Sequence, residues 1–432
     1  MSEKPKIKKE PSTSPKGMHD LMNEAYYSYQ GFFEKAQEIA VYYGFKPIET
    51  PILEHEDVFT TGVGVGTDIV DKEMYTLKTK GGDHFAMRPE GTAGVMRAYI
   101  EHGMLALPQP VMLYYYGPLF RHDKPQRGRY REFRQFGVEV IGSEKSICDA
   151  LVIKSMVAIL EDAGAKDLVV DINSIGDKEC RPQYLKELTA YYRKHASSLG
   201  PIDRERLKTN PLRILDSKDP KTMEINEGAP DAISFLTGDA KKHFKQVLEY
   251  LEQMGINYRI NKNLVRGLSY YTHTVFEIIE QGAGENGESL TIAAGGRYDY
   301  LGKMLGSKRD IPAVGGAIGV DRVVEAPWFS KLTPKVIKKP KMAFIQLGFE
   351  AKLKSLNIIE ILRKAKVPII QNLSKDNIGT QLAIAEKAGV SHALIFGQKE
   401  ALENSVIVRD MNTRSQDTVP MAKLLEYLKE IK

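Results

Sequence analysis

Residues 116–142, YGPLFRHDKPQRGRYREFRQFGVEVIG, carry the side chains whose types and order most clearly point to chemistry. Side chains alternate along a strand, so from Tyr130 to Val140 one face bears Arg131, Phe133, Gln135, Gly137 and Glu139, and the other Phe136, Val138 and Val140. The second set belongs against a core; the first is a ligand surface. An aromatic ring, an amide and a carboxylate follow one another along it, with Gly137 leaving room for a close approach, over roughly 20 Å of strand. That length suits a nucleotide joined to an amino acid. Arg121 ends the first strand beside His122 and Asp123, and the loop that follows holds Lys124, Arg127, Arg129 and Arg131, so positive charge collects at one end of the platform. A guanidinium fork grips phosphate oxygens two at a time and keeps its charge at any working pH, which suits a triphosphate beside a stacking ring. By composition alone the stretch also fits an amphipathic hairpin with a solvated charged face.

Four further runs bear polar groups in useful places. In residues 264–277, LVRGLSYYTHTVFE, Arg266 precedes a glycine at a strand entry, where a turn can aim the cation into a cleft. On that strand Tyr270 and Tyr271 face opposite sides, so only one is expected to touch a substrate. Residues 293–301, AAGGRYDYL, offer Tyr298. In residues 313–324, AVGGAIGVDRVV, Gly315, Gly316 and Gly319 let the backbone pass close to a ligand, and Arg322 falls in the first turn of a helix starting near Gly319. Residues 88–92, RPEGT, place Glu90 and Thr92 on a loop, where both can accept hydrogen bonds from an α-ammonium group. Thr92 also reads as the N-cap of a helix over residues 93–102.

The run FRHDKPQRGRYREFRQFGVEVIG resembles motif 2 of class II aminoacyl-tRNA synthetases, in the version carried by the histidyl-tRNA synthetase family. Residues 313–324 resemble motif 3, residues 264–277 and 293–301 are similar to that family's histidine-specific motifs, and FKPIETPIL (residues 45–53) resembles motif 1. The resemblance implies a ligase that activates L-histidine with ATP to histidyl-adenylate and passes it to the 3′ end of tRNA(His). It implies catalytic roles for Arg121 and Arg266, and ATP contacts from Arg121, Asp123, Phe133 and Arg322. Histidine would be held by Glu90, Gly91, Thr92, Gln135, Glu139, Tyr270, Tyr271 and Tyr298, and the acceptor end of the tRNA would meet Gln126 and Arg127. ATP is then a substrate, Mg2+ sits on its outer phosphates with no metal-ligand set named in the protein, and the active form is a cytoplasmic homodimer joined near motif 1. A pocket that satisfies the imidazole's polar atoms rejects side chains lacking them, so no editing domain is expected. Ser269 stands where the family usually has Asp, and Asp123 where it usually has Glu. The alternative is a non-catalytic, histidine-sensing relative acting as regulatory subunit of ATP phosphoribosyltransferase; such chains lack the C-terminal domain and tend to lose the ATP-site arginines, both of which are present here.

The elements that must position these residues follow from the rest of the chain. With 432 residues and 42% hydrophobic content there is material for two or three cores. The 61 Lys and Arg against 56 Asp and Glu leave +5, compatible with a phosphate-bearing partner without requiring one. Cys148 and Cys180 have neither a pairing framework nor metal-ligand spacing, which suits a reducing compartment. No stretch is apolar enough for a membrane span. The expected fold is an α+β catalytic domain with an antiparallel sheet of the class II synthetase type, followed by a C-terminal α/β domain. Residues 1–17 read as a disordered basic tail, 18–330 as the catalytic domain with a proline-punctuated helical insertion at 177–257, and 331–341 as a basic linker. In residues 342–432 helices alternate with strands, an order that resembles the anticodon-binding domain of several class II synthetases and predicts a parallel or mixed sheet.

Overall fold

The apolar stripe of residues 21–43 forms the helix Asn23–Tyr42, which buries Phe32, Ala36 and Ala40 and ends at Gly44, a glycine at φ +92°. The computed structural model describes residues 12–64, 67–282, 290–335, 340–373 and 376–430. Two compact units divide it, Met1–Pro334 and Lys335–Lys432. Residues 1–11 of the expected tail and 336–339 of the expected linker lie outside the described residues. Gly17, which composition assigns to the tail, is tied to the hairpin: its carbonyl accepts the Arg131 N–H at 2.8 Å.

In chain order the strands of the first unit are β1 Lys46–Pro47, β2 Leu53–His55, β3 Thr76–Lys78, β4 His84–Met87, β5 Val111–Phe120, β6 Glu132–Ile141, β7 Leu168–Ser174, β8 Tyr258–Ile260, β9 Thr272–Glu280, β10 Leu290–Arg297 and β11 Ala313–Gly319. Eight of them form one sheet in the order β1-β5-β6-β11-β10-β9-β7-β8, and β2-β4-β3 form a small one. From β5 to β7 every neighbouring pair of the large sheet is antiparallel, and the short edge strands β1 and β8 add parallel to it. β1 ends in Pro47, which lacks a donor and is tolerated at an edge.

The expected hairpin is β5 and β6, paired from Val111↔Ile141 to Phe120↔Glu132. Phe136, Val138 and Val140 pack with Phe32 and Ala36 and with Val152, Ile153 and Met156 of the helix Ser146–Asp162. Each such side chain contributes about 1.5–3 kcal/mol by leaving water. Between β7 and β8 run the helices Arg181–Lys194, Pro201–Thr209, Pro220–Glu227 and Gly238–Gln253. The last packs Phe244, Val247 and Leu251 into the core beneath the sheet, whereas Tyr184, Leu188 and Tyr192 of the first join a second cluster with the site tyrosines.

The second unit holds β12 Met342–Gln346, β13 Ile369–Gln371, β14 His392–Phe396, β15 Ser405–Asp410 and β16 Gln416–Pro420 in the order β13-β12-β14-β15-β16. The first three are parallel and the last two antiparallel, a mixed sheet. Helices Phe349–Lys364 and Ile378–Lys387 make the crossovers.

Two of the glycines read as ligand clearances serve packing instead. A β carbon on Gly316 would lie 2.7 Å from the Met156 sulfur and 3.0 Å from the Phe276 ring, and one on Gly315 would meet the Glu139 carboxylate. Across the pair, a β carbon on Gly295 would lie 2.2 Å from the Gly315 carbonyl oxygen and 2.6 Å from Phe276. Backbone cannot yield there, so Gly295→Ala is expected to destabilise the unit by on the order of 3 kcal/mol. Gly238→Ala, with no atom within 4 Å, is the control. Equal melting temperatures for the two variants would contradict this packing.

Candidate active site

Glu139 is the deepest polar group of the platform, with no exposure to solvent. Its Oε1 accepts the Thr92 hydroxyl at 2.7 Å and its Oε2 accepts the Tyr298 hydroxyl. Thr92 is therefore not the N-cap. Gly91 occupies the N-cap position of the helix Thr92–Glu101 without a side chain to cap it, and the Glu90 carboxylate takes the buried N–H groups of Thr92 (2.7 Å) and Ala93 (2.8 Å), because a carboxylate just upstream reaches both donors and frees the threonine hydroxyl. Tyr270 donates to Glu90 Oε2 at 3.3 Å.

Tyr270 and Tyr271 do not face opposite sides of a strand. β9 begins only at Thr272, and in the turn before it the two-residue alternation does not apply. The rings lie 4.8 Å apart by centroid, with Tyr298 5.7 Å from Tyr270, and all three join one buried cluster. Tyr115 completes it. A β carbon on Gly137 or on Gly91 would fall 2.1 or 2.3 Å from the Tyr115 ring, so these glycines admit a tyrosine. The signal was in the hairpin register, where an aromatic stands directly opposite a glycine.

Beside this buried cluster opens a cleft of about 490 Å³, lined by Arg121, Asp123, Phe133, Gln135, Arg266 and Arg322, with Asp216 and Lys218 also on its wall. Arg121 donates from Nε to the Pro89 carbonyl at 2.8 Å and lies 5.2 Å from the Phe133 ring centroid. Arg322, in the helix Val320–Val324, donates to the carbonyls of Gly128 (3.2 Å) and Thr291 (2.5 Å). Burial pulls both guanidiniums below their ordinary value, with Glu73 drawing Arg121 back up and Arg129 pressing Arg322 further down. Arg266 lies in the loop ahead of β9, lining the cleft and 5.8 Å from the Tyr271 ring centroid of the buried cluster. It pairs with Glu277, whose other oxygen accepts the Thr291 hydroxyl at 3.0 Å, and its buried Nε has no partner among the described residues. Glu277 and Thr291 were not singled out from the sequence. Asp123 pairs with Arg129. Gln126 and Arg127 are exposed on the loop, Arg127 donating to the Glu325 carbonyl at 2.9 Å.

An antiparallel sheet floored by a motif 2 hairpin and a motif 3 strand and helix, with arginines around a cleft, defines a class II aminoacyl-tRNA synthetase domain. Residues 17–323 match the family model described as histidyl-tRNA synthetase, and residues 341–431 the anticodon binding domain. The chain is 39% identical over 417 residues to "Histidine--tRNA ligase" of Dehalococcoides mccartyi, covering 96% of this chain and 99% of that protein. It is 37% identical to the protein of the same description from Desulforamulus reducens, over 97% of this chain and 99% of that one. The apo histidyl-tRNA synthetase of S. aureus superposes with a TM-score of 0.78 at 31% identity, covering 96% of this chain and 99% of that one. The chain belongs to the histidyl-tRNA synthetase family; its class is aminoacyl-tRNA synthetase and its function that of a histidine–tRNA ligase. The alternative of a regulatory subunit is not favoured.

Burial pushes the Glu139 carboxyl up to about 8, although the Tyr298 and Thr92 hydroxyls pull it down; the nearby Glu90 charge adds to the rise. The folded chain thus binds this proton more tightly than the unfolded one. Stability from it is complete below the ordinary carboxylate range and is lost as pH climbs through about 8. The melting temperature of the unliganded chain is expected to fall between about pH 5 and pH 8, by up to ~1.4 kcal/mol of stability per unit. In Glu139→Gln the slope should shrink without vanishing, because burial raises Glu90 too. An unchanged slope would remove Glu139 as its source.

Proposed function

We propose that the cleft binds ATP and the tyrosine-lined pocket binds histidine, and that the chain makes histidyl-adenylate where the two meet. The observation that carries this reading is Arg266, poised between a pocket containing two buried carboxylates and a cleft edged with arginines. The histidine carboxylate attacks the α-phosphorus of ATP, diphosphate leaves, and Arg121 and Arg266 meet the charge that grows on the phosphoryl oxygens. Arg322 holds the outer phosphates. The adenine stacks on Phe133, on the face that Arg121 leaves free. Glu90, Thr92 and Gln135 hold the α-ammonium group at the edge of Gly91, and Glu139 with Tyr271 and Tyr298 holds the imidazole. A ribose hydroxyl at the tRNA 3′ end, near Gln126 and Arg127, then attacks the histidyl carbonyl of the adenylate, an ester forms, the anhydride bond breaks, and AMP leaves together with the hydroxyl proton. No general base is assigned to that transfer.

Mg2+ favours one or two carboxylates plus phosphate oxygens, and Glu277, braced by Thr291 in the cleft wall, fits that role, with Asp123 also at the rim. There the ion would neutralise the outer phosphates. A homodimer is supported by exposed apolar side chains on the motif 1 segment, Ile52 and Leu53, and by Leu77 on the same small sheet. A cytoplasmic setting fits the two free, buried cysteines.

Purified protein is expected to catalyse ATP–pyrophosphate exchange with histidine and with no other amino acid. In Arg266→Ala, kcat for exchange should fall roughly 10²–10³-fold while the KM for histidine moves less than about threefold. A raised histidine KM at unchanged kcat would instead assign Arg266 to ground-state binding.

A further inference from the structure

Arg297 closes β10 at 1% exposure, and the reaction described above does not use it. Its guanidinium donates to the Asp149 carboxylate from Nη2 at 2.5 Å and from Nε at 3.2 Å. From Nη1 it donates to the Ser143 carbonyl at 3.0 Å and to Asp299 Oδ1 at 3.1 Å. Asp149, on the helix Ser146–Asp162, is fully buried, and its Oδ1 lies 3.2 Å from Nε2 of His243 on the helix Gly238–Gln253. Asp299 Oδ1 also accepts the Ala313 N–H at 3.0 Å. Residues on both sides of Tyr298 are thereby locked, and Tyr298 itself donates its N–H to the Ala313 carbonyl at 2.8 Å. From that backbone its hydroxyl donates to the Glu139 carboxylate.

A buried ion pair recovers little net stability once desolvation is counted, and its attested use is to fix geometry. This pair joins a helix, a strand end and the turn after it, all of them behind one pocket wall. We infer that Arg297 and Asp149 are positioning residues: they hold the Tyr298 hydroxyl against Glu139 and so set the acceptor geometry that the imidazole meets, without touching substrate. The inference rests on the reading of Glu139 and Tyr298 as the imidazole end of the pocket.

The test is a double-mutant cycle on the full chain, with KM for histidine and for ATP read in pyrophosphate exchange. Tyr298→Phe should raise the histidine KM about tenfold, the scale of one lost buried hydrogen bond, and leave the ATP KM in place. Arg297→Lys keeps the charge but not the fork, and should raise the histidine KM in the same direction. Because it acts through Tyr298, it should add nothing in the Tyr298→Phe background. Multiplying effects in the double variant would overturn the inference, as would an Arg297→Lys protein that melts lower at an unchanged histidine KM. If Tyr298→Phe itself leaves the histidine KM unaltered, the pocket assignment falls, and the inference with it. Should Arg297→Lys fail to fold, Asp149→Asn, which keeps shape and one acceptor oxygen, takes its place in the cycle with the same expectations.

Discussion

Glu139 carries its carboxylate into the middle of an antiparallel sheet, where water does not reach it. A polar group so placed is costly unless its hydrogen bonds are made, and most of the local construction makes them. Thr92 supplies one hydroxyl from the first turn of a helix, and Tyr298 supplies the other from beyond β10. The space comes from Gly315, which stands directly across the β6–β11 ladder and whose β carbon would fall on the carboxylate. Glu90 leaves Thr92 free for this duty by taking over the capping of its helix. One buried acid thus sets the residue type at four positions on three separate segments.

Charge is partitioned around that centre. The pocket holds Glu90 and Glu139 among tyrosines whose phenols burial keeps neutral, a setting that favours an ammonium group and an imidazole. The cleft holds arginines, which favour a triphosphate. Arg121 and Arg322 are restrained by backbone carbonyls of Pro89, Gly128 and Thr291, acceptors that orient a guanidinium without cancelling its charge. Arg266 is the exception, paired with Glu277 yet keeping a buried Nε unused by any described residue. Preorganisation of this kind leaves little reorientation for groups that meet charge in the cleft.

What could be read from the residues was whatever depended on a short period. Strand alternation placed Phe136, Val138 and Val140 in the core and Glu139 opposite them, and the helix stripe placed Phe32, Ala36 and Ala40. The misreadings came from long-range contacts. SYYTHTVFE reads as one strand by β propensity, but the Ser269 N–H is taken by the Val63 carbonyl at 3.1 Å, and the chain turns until Thr272. Gly137, Gly315 and Gly316 do leave gaps, and which atoms fill them depends on segments far away in sequence: Tyr115, Glu139 and Phe276. Family motifs named most of the candidate residues, yet they did not say that the Glu90 carboxylate takes the first N–H groups of a helix or that Arg297 is buried against Asp149.

The two departures from the family pattern separate along the same line. Asp123 keeps its charge at the cleft rim and spends it on Arg129, so the shorter arm is matched within the motif 2 loop. Ser269 turns its hydroxyl out of the pocket and onto the Val63 carbonyl at 2.5 Å. An ionised aspartate is an acceptor only and could not make that bond, whereas a serine donates it while its own N–H reaches the same oxygen. Gly64, at φ +97°, has no room for a β carbon beside that hydroxyl. The serine is therefore matched to its partner segment, Val63 and Gly64.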